Sequence, residues 1–132
     1  HDHVLAVARL AREAGATRLA IVSALGADRD SRVFYNRVKG EMEADVAALG
    51  YDEVSFAQPS LLVGDRAALG QRERPGEVWT MRLLRPVLPL VPKGIRPIDA
   101  RDVAAALIAA TMSGKPGVHR LSSARMQGAC PR

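Results

Sequence analysis

The sequence predicts an α/β fold in which parallel strands are flanked by helices. Three observations carry that expectation. Two short apolar runs rich in branched residues, Arg18–Ser23 and Val54–Gln58, each follow a segment with helical periodicity. The helical segment between them makes a strand–helix–strand unit, whose crossover should be right-handed. A further helix and a last short strand, Gly117–Ser122, continue the same alternation.

Residues 2–14 read as the first helix. Asp2 serves as a candidate N-cap, Val4, Leu5, Ala8 and Ala11 fall on one face, and Gly15 closes it. Arg18–Ser23 is then a buried parallel strand. A loop with Gly26 and Asp28 leads to a helix expected from about Ser31 to Leu49, opening near Asp30 or Ser31 and stopped by Gly50. Val38, Met42, Val46 and Leu49 give that helix a core-facing stripe. Val54–Gln58 is the next strand, ended by Pro59. Residues 65–77 are polar and turn-rich, and read as a surface connection or a lid on the substrate side. Val78–Leu84 suggests a short helix in which Trp79 packs against the body, and Pro86, Pro89 and Pro92 then force an irregular crossing. Ile95–Ile98 is extended. Asp99 caps a helix running to about Met112, Asp102 adds negative charge to its first turn, and Gly114 lies beyond its end. The tail from Arg125 is expected to fray.

A chain of 132 residues is one domain at most, long enough for a single core. Hydrophobic residues at 48% and charged ones at 25% exclude a disordered chain, and with aromatics at only 4% the core must rest on Ala, Leu and Val. The net charge of +5 comes almost wholly from scattered Arg, which describes a solvated surface and not a nucleic-acid interface. Such a field still favours a phosphate-bearing ligand. No apolar run reaches the ~18 residues of a membrane span. Cys130 is the sole cysteine, which excludes an internal disulfide and, with no signal peptide in evidence, leads to the expectation of a cytoplasmic protein. His1 and His3 read as exposed end residues and His119 as a strand-edge residue. No metal site is expected.

The chemistry concentrates in Ser23-Ala-Leu-Gly-Ala-Asp, followed by Tyr35-Asn-Arg-Val-Lys39-Gly-Glu-Met-Glu43. Tyr35 and Lys39 stand four residues apart, on one face of a helix. A phenol titrates near pH ~10, and a nearby ammonium favours its phenolate. A hydroxyl at the strand end, Ser23, could hydrogen-bond a substrate oxygen beside it. Together these make a proton-transfer device for carbonyl or alcohol chemistry.

In these residues the chain resembles the short-chain dehydrogenase/reductase superfamily, and its fuller pattern is similar to the atypical, epimerase-like branch. The resemblance implies a Rossmann-like, doubly wound sheet and NADP or NAD as cofactor. It also implies an oxidoreductase or epimerase-like activity on a small-molecule substrate. Tyr35, Lys39 and Ser23 would be catalytic, with Lys39 and Tyr35 also meeting the nicotinamide ribose. Pro59-Ser-Leu-Leu-Val-Gly64 resembles the segment that passes the nicotinamide end, which adds Pro59, Ser60 and Leu61 to the cofactor contacts. The family usually places Arg before that proline, and this chain has Gln58. Pro97-Ile-Asp-Ala-Arg-Asp-Val-Ala resembles the segment framing the substrate side.

The resemblance covers only the C-terminal part of the family's domain. No Gly-x-Gly-x-x-Gly turn occurs in the chain, and its phosphate cradle would lie upstream of His1. The start at His1 agrees with a truncation. Two expectations follow. The chain alone should bind NAD(P) weakly or not at all. The strand Leu19–Ser23 should carry an unpaired edge that invites poor folding or homo-oligomer formation. Two rival functions remain beside the enzyme: a non-catalytic binding or sensing module of the same fold, favoured by Ala24 after Ser23 and by Gln58, and a defunct fragment.

Overall fold

The computed structural model describes residues 1–63, 92 and 94–130. The expected loop over 65–77, the short helix over 78–84 and the packing of Trp79 lie outside these residues.

The fold is α/β. Three parallel strands, β1 (Arg18–Val22), β2 (Glu53–Gln58) and β5 (Gly117–Ser122), form a sheet in the order β1-β2-β5. A two-residue pair, β3 (Leu62–Val63) with β4 (Ile98–Asp99), is also parallel. The helices are α1 (Asp2–Glu13), α2 (Phe34–Ala47), α3 (Ala100–Ser113) and the single turn α4 (Ser123–Met126).

Alternation along β2 divides the core between the two faces of the sheet. Val54 and Phe56 join Ala8 of α1 and Met42 and Val46 of α2, with Leu19 and Ile21 of β1 packed against them. Ala57, one residue on, turns to the other face and meets Val103 and Leu107 of α3, Ile98 and Met126. The layers are therefore helix, sheet, helix, with β2 in the middle. Full burial of a side chain the size of Phe56 stabilises by about 1.5–3 kcal/mol.

β1 lies at an edge of this sheet. Among the described residues β2 is its one partner, and its side chains alternate between exposed and half-buried. A groove of about 360 Å³ follows this strand, lined by His3, Val4, Val7, Leu19, Ala20 and Ile21 among others.

Three local expectations are corrected. Asp2 sits inside the first turn of α1, and His1 takes the N-cap position without a side-chain cap. The imidazole of His1 bonds Asp2 at 2.7 Å and Asp45 of α2 at 2.9 Å. Helix α2 begins at Phe34, three residues after Ser31, because the Ser31 hydroxyl serves the loop instead. Ser31 Oγ accepts from the Val33 amide, and Asp28 Oδ1, in the loop as expected, from the Asp30 amide. Finally, the chain past Arg125, expected to fray, is tied down as far as Cys130. Asp102 is buried and its carboxylate accepts from the Gly128 and Cys130 amides. Asp99 caps α3 as expected, accepting from the Arg101 amide at 2.8 Å, and Gly114 takes the left-handed conformation (φ 63°) that ends this helix.

Candidate functional site

The site is built at the C-terminal ends of β1 and β2, where open parallel sheets present their loops. Ser23 follows β1 directly, and its amide extends the ladder by donating to Ala57 O at 2.7 Å. Alternation puts Ser23 on the sheet face of Leu19 and Ile21, the face that α2 covers. Its hydroxyl is buried and meets no hydrogen-bond partner among the described residues. A buried orphan hydroxyl is uncommon in folded proteins and calls for an explanation, a ligand group being one. Two residues on, the Leu25 amide donates to Pro59 O at 2.9 Å, so the loop after β1 runs beside the turn after β2.

That loop is pressed against α2. A Cβ at Gly40 would collide with the backbone of Asp28 and Arg29, so only glycine admits the loop at this distance. The Asp28 amide donates to Asn36 O in the same stretch of helix. Strand end, loop and first turns of α2 are thereby fixed together, which sets where Tyr35 and Lys39 stand.

Tyr35 is 58% exposed, so its ring is not packed in the interior. Lys39 is half-buried, and its Nζ lies 5.9 Å from the centre of the Tyr35 ring. The two side chains keep company on one face of α2, as the four-residue spacing requires. Among the described residues Lys39 forms no ion pair. Pro59 is buried. Ser60 is half-buried, and its hydroxyl is committed to Arg96 O at 2.6 Å and to Ser123 Oγ at 3.1 Å. Leu61 is exposed, and its carbonyl accepts from Ile98. Toward a ligand, Ser60 therefore has its backbone to offer.

One cluster next to this site was not legible in the sequence. Glu43, the next residue along the stripe Tyr35–Lys39–Glu43, is 1% exposed. Its Oε1 accepts from Gln58 Nε2 at 2.9 Å and its Oε2 from Arg120 Nε at 2.8 Å. Arg120 pairs with Phe56 in the β2–β5 register, and its guanidinium stands 5.9 Å from the Phe56 ring centre. The i, i+4, i+8 spacing marks Glu43 as a neighbour of Lys39. Arg120 could be found only once β5 was known to lie beside β2.

Neither a cluster of three or more metal-ligating side chains nor a helix long and apolar enough to cross a membrane occurs among the described residues.

No family model matches the chain. It is 42% identical over 81 residues to the protein HTATIP2 of Rattus norvegicus, covering 61% of this chain and 31% of that one. It is 33% identical over 114 residues to the mitochondrial protein fmp52 of Aspergillus niger, covering 86% of this chain and 47% of the relative. With the mitochondrial protein FMP52 of Saccharomyces cerevisiae it shares 41% identity over 66 residues, half of this chain and 29% of the other. The chain thus spans less than half the length of these relatives. The fungal names overturn the expectation of a cytoplasmic location. That expectation rested on a lone cysteine and on the lack of a recognisable signal peptide, and neither identifies a compartment. Taken with the parallel three-stranded sheet, these similarities are consistent with the atypical short-chain dehydrogenase/reductase superfamily that the Tyr35 and Lys39 pattern resembles.

Proposed function

We propose that this chain supplies the proton-transfer side of an NAD(P)-dependent oxidoreductase or epimerase-like site acting on a carbonyl or alcohol. The observation that carries the reading is the Lys39 ammonium standing by the Tyr35 ring while, among the described residues, engaged in no ion pair. Tyr35 exchanges a proton with the substrate oxygen through its phenol. Lys39 stabilises the phenolate electrostatically and offers its remaining donors to ribose hydroxyls. The orphan Ser23 hydroxyl donates to the same substrate oxygen and fixes the carbonyl for attack. The nicotinamide, when bound, gives or takes the hydride.

The residues present fit one end of such a cofactor. Pro59, Ser60 and Leu61 border the place where its nicotinamide end would lie, through backbone and an exposed leucine. A glycine-rich turn for the pyrophosphate is not part of this sequence. The chain by itself therefore should not bind NADPH tightly, and micromolar binding in a titration contradicts that. Association of two copies through the β1 edge is part of the same reading, and is checked by sedimentation velocity.

Tyr35→Phe in the complete protein is the test. Loss of a general acid–base group lowers turnover by about 10²-fold or more, while NADPH affinity stays unchanged. Turnover equal to that of the unsubstituted protein sinks the assignment. A second reading, a cofactor-binding module without catalysis, is favoured by Ala24 and Gln58. It predicts cofactor binding with no hydride transfer to aldehydes, ketones or sugar nucleotides.

A further inference from the structure

We propose that Arg120 is a positioning residue for the Tyr35–Lys39 pair: by holding the Glu43 carboxylate from the sheet side, it keeps that carboxylate from capturing Lys39. The inference rests on the functional reading above and adds a residue that its spacing argument did not contain.

Lys39 has two helical neighbours at a distance of four residues, Tyr35 before it and Glu43 after it. A Glu and a Lys so spaced attract each other on a helix surface, and the attraction grows as the site is withdrawn from water. Glu43 is nearly completely buried, so its carboxylate must find charged or polar donors. Left to α2 alone, the nearest cation would be Lys39. The structure resolves the competition otherwise. Gln58 Nε2 takes one carboxylate oxygen at 2.9 Å and Arg120 Nε the other at 2.8 Å. Both donors come from the sheet, β2 and β5, and Lys39 remains with the Tyr35 ring at 5.9 Å.

The arrangement has an internal logic. Gln58 is neutral and can satisfy hydrogen bonds but not charge. The positive charge that balances Glu43 comes from the neighbouring strand, through the register that sets Arg120 beside Phe56. Arg120 reaches Glu43 across the Phe56 ring, which limits the positions its guanidinium can take. A guanidinium suits this duty better than an ammonium, because its planar donors point in fixed directions.

The test follows the Hε–Cε signals of Lys39 by NMR in the complete protein, assigned by their loss on Lys39→Arg substitution. In the unsubstituted protein the Lys39 Hε signals carry a ring-current shift from Tyr35. Arg120→Gln is expected to abolish that shift as Lys39 swings to Glu43, and to lower turnover about tenfold, equivalent to about 1.4 kcal/mol. Glu43→Gln combined with Arg120→Gln removes the competing charge, and is expected to restore both the shift and the turnover although the ion pair is gone. Gln58→Arg in the Arg120→Gln background restores them by supplying the cation from β2. Should Arg120→Gln destabilise the fold, the Glu43→Gln, Arg120→Gln protein contains no unpaired buried charge and still gives a reading. An unchanged Lys39 shift in Arg120→Gln overturns the proposal, as does a shift still lost when Glu43 is neutralised as well. Failure of the underlying reading looks different: Tyr35→Phe keeps the aromatic ring and the shift, and leaves turnover untouched.

Discussion

β1 and β2 are parallel neighbours of similar length, yet they live in different surroundings. β2 has a strand on each side and a helical layer on each face, and every residue from Glu53 to Ala57 is buried. Among the described residues β1 has one strand beside it, and Arg18, Ala20 and Val22 are exposed. Their sequences rank the other way. Arg-Leu-Ala-Ile-Val is the more apolar run, while β2 carries Glu53, Ser55 and Gln58. Apolarity alone therefore does not tell which strand lies innermost. Polar groups inside β2 are mostly partnered: Ser55 Oγ donates to Glu53 Oε1 and Gln58 Nε2 to Glu43, while Glu53 Oε2 makes no hydrogen bond among the described residues and stands 3.9 Å from Arg18 Nε. β1 has the composition of an interior strand and the position of an edge.

The sharpest break of this comparison is a truncation on each strand. Phe56→Ala is expected to cost about 3–5 kcal/mol, since the ring is fully buried between α2 and the sheet. Val22→Ala, at a side chain 45% exposed, should cost less than about 1 kcal/mol. Urea unfolding of both variants decides it, and equal costs would mean that β1 is covered. An intermediate effect is expected at Gly40, on the helix that joins the two strands. Gly40→Ala forces the loop after β1 off α2, at about 1–3 kcal/mol for the overpacked contact. Hydrogen exchange should then rise at the Asp28 amide, which donates to Asn36 O, while the amides of β2 keep their protection.

The smallest effect is expected at the layer that flanks β1. The hydrogen bond to Asp2 raises the His1 pKa above its ordinary 6.5; desolvation opposes it, and the hydrogen bond to Asp45 then adds to the rise. A pKa raised on folding stabilises the folded state fully below pH 6.5, and that stabilisation is lost as pH climbs through the raised value. Urea midpoints on either side of neutrality should show a slight decline toward alkaline pH that His1→Gln removes. The Asp2 carboxyl, held below its usual range by the same His1 contact, is almost wholly solvated, and such surface pairs add little.

The alternation of helix and strand was legible because period and punctuation agree: Gly15, Gly50 and Gly114 follow the helices, and Asp99 precedes α3. The start of α2 was not, because Ser31 looks like a cap and acts as a turn residue. The β3–β4 pair is too short to show a period. Of the site, Tyr35 and Lys39 could be paired from spacing within a single helix. Glu43 and Arg120 are 77 residues apart, and nothing local announces that their strands and helices meet. Contacts across a parallel sheet depend on strand order, which is a property of the whole fold.

Pro59 has no amide hydrogen to give, so the stitch between the loop after β1 and the turn after β2 runs in one direction, from Leu25 to the proline carbonyl. No side chain takes part in it. Drift in sequence can rewrite the side chain at position 25, proline excepted, and leave this backbone hydrogen bond in place.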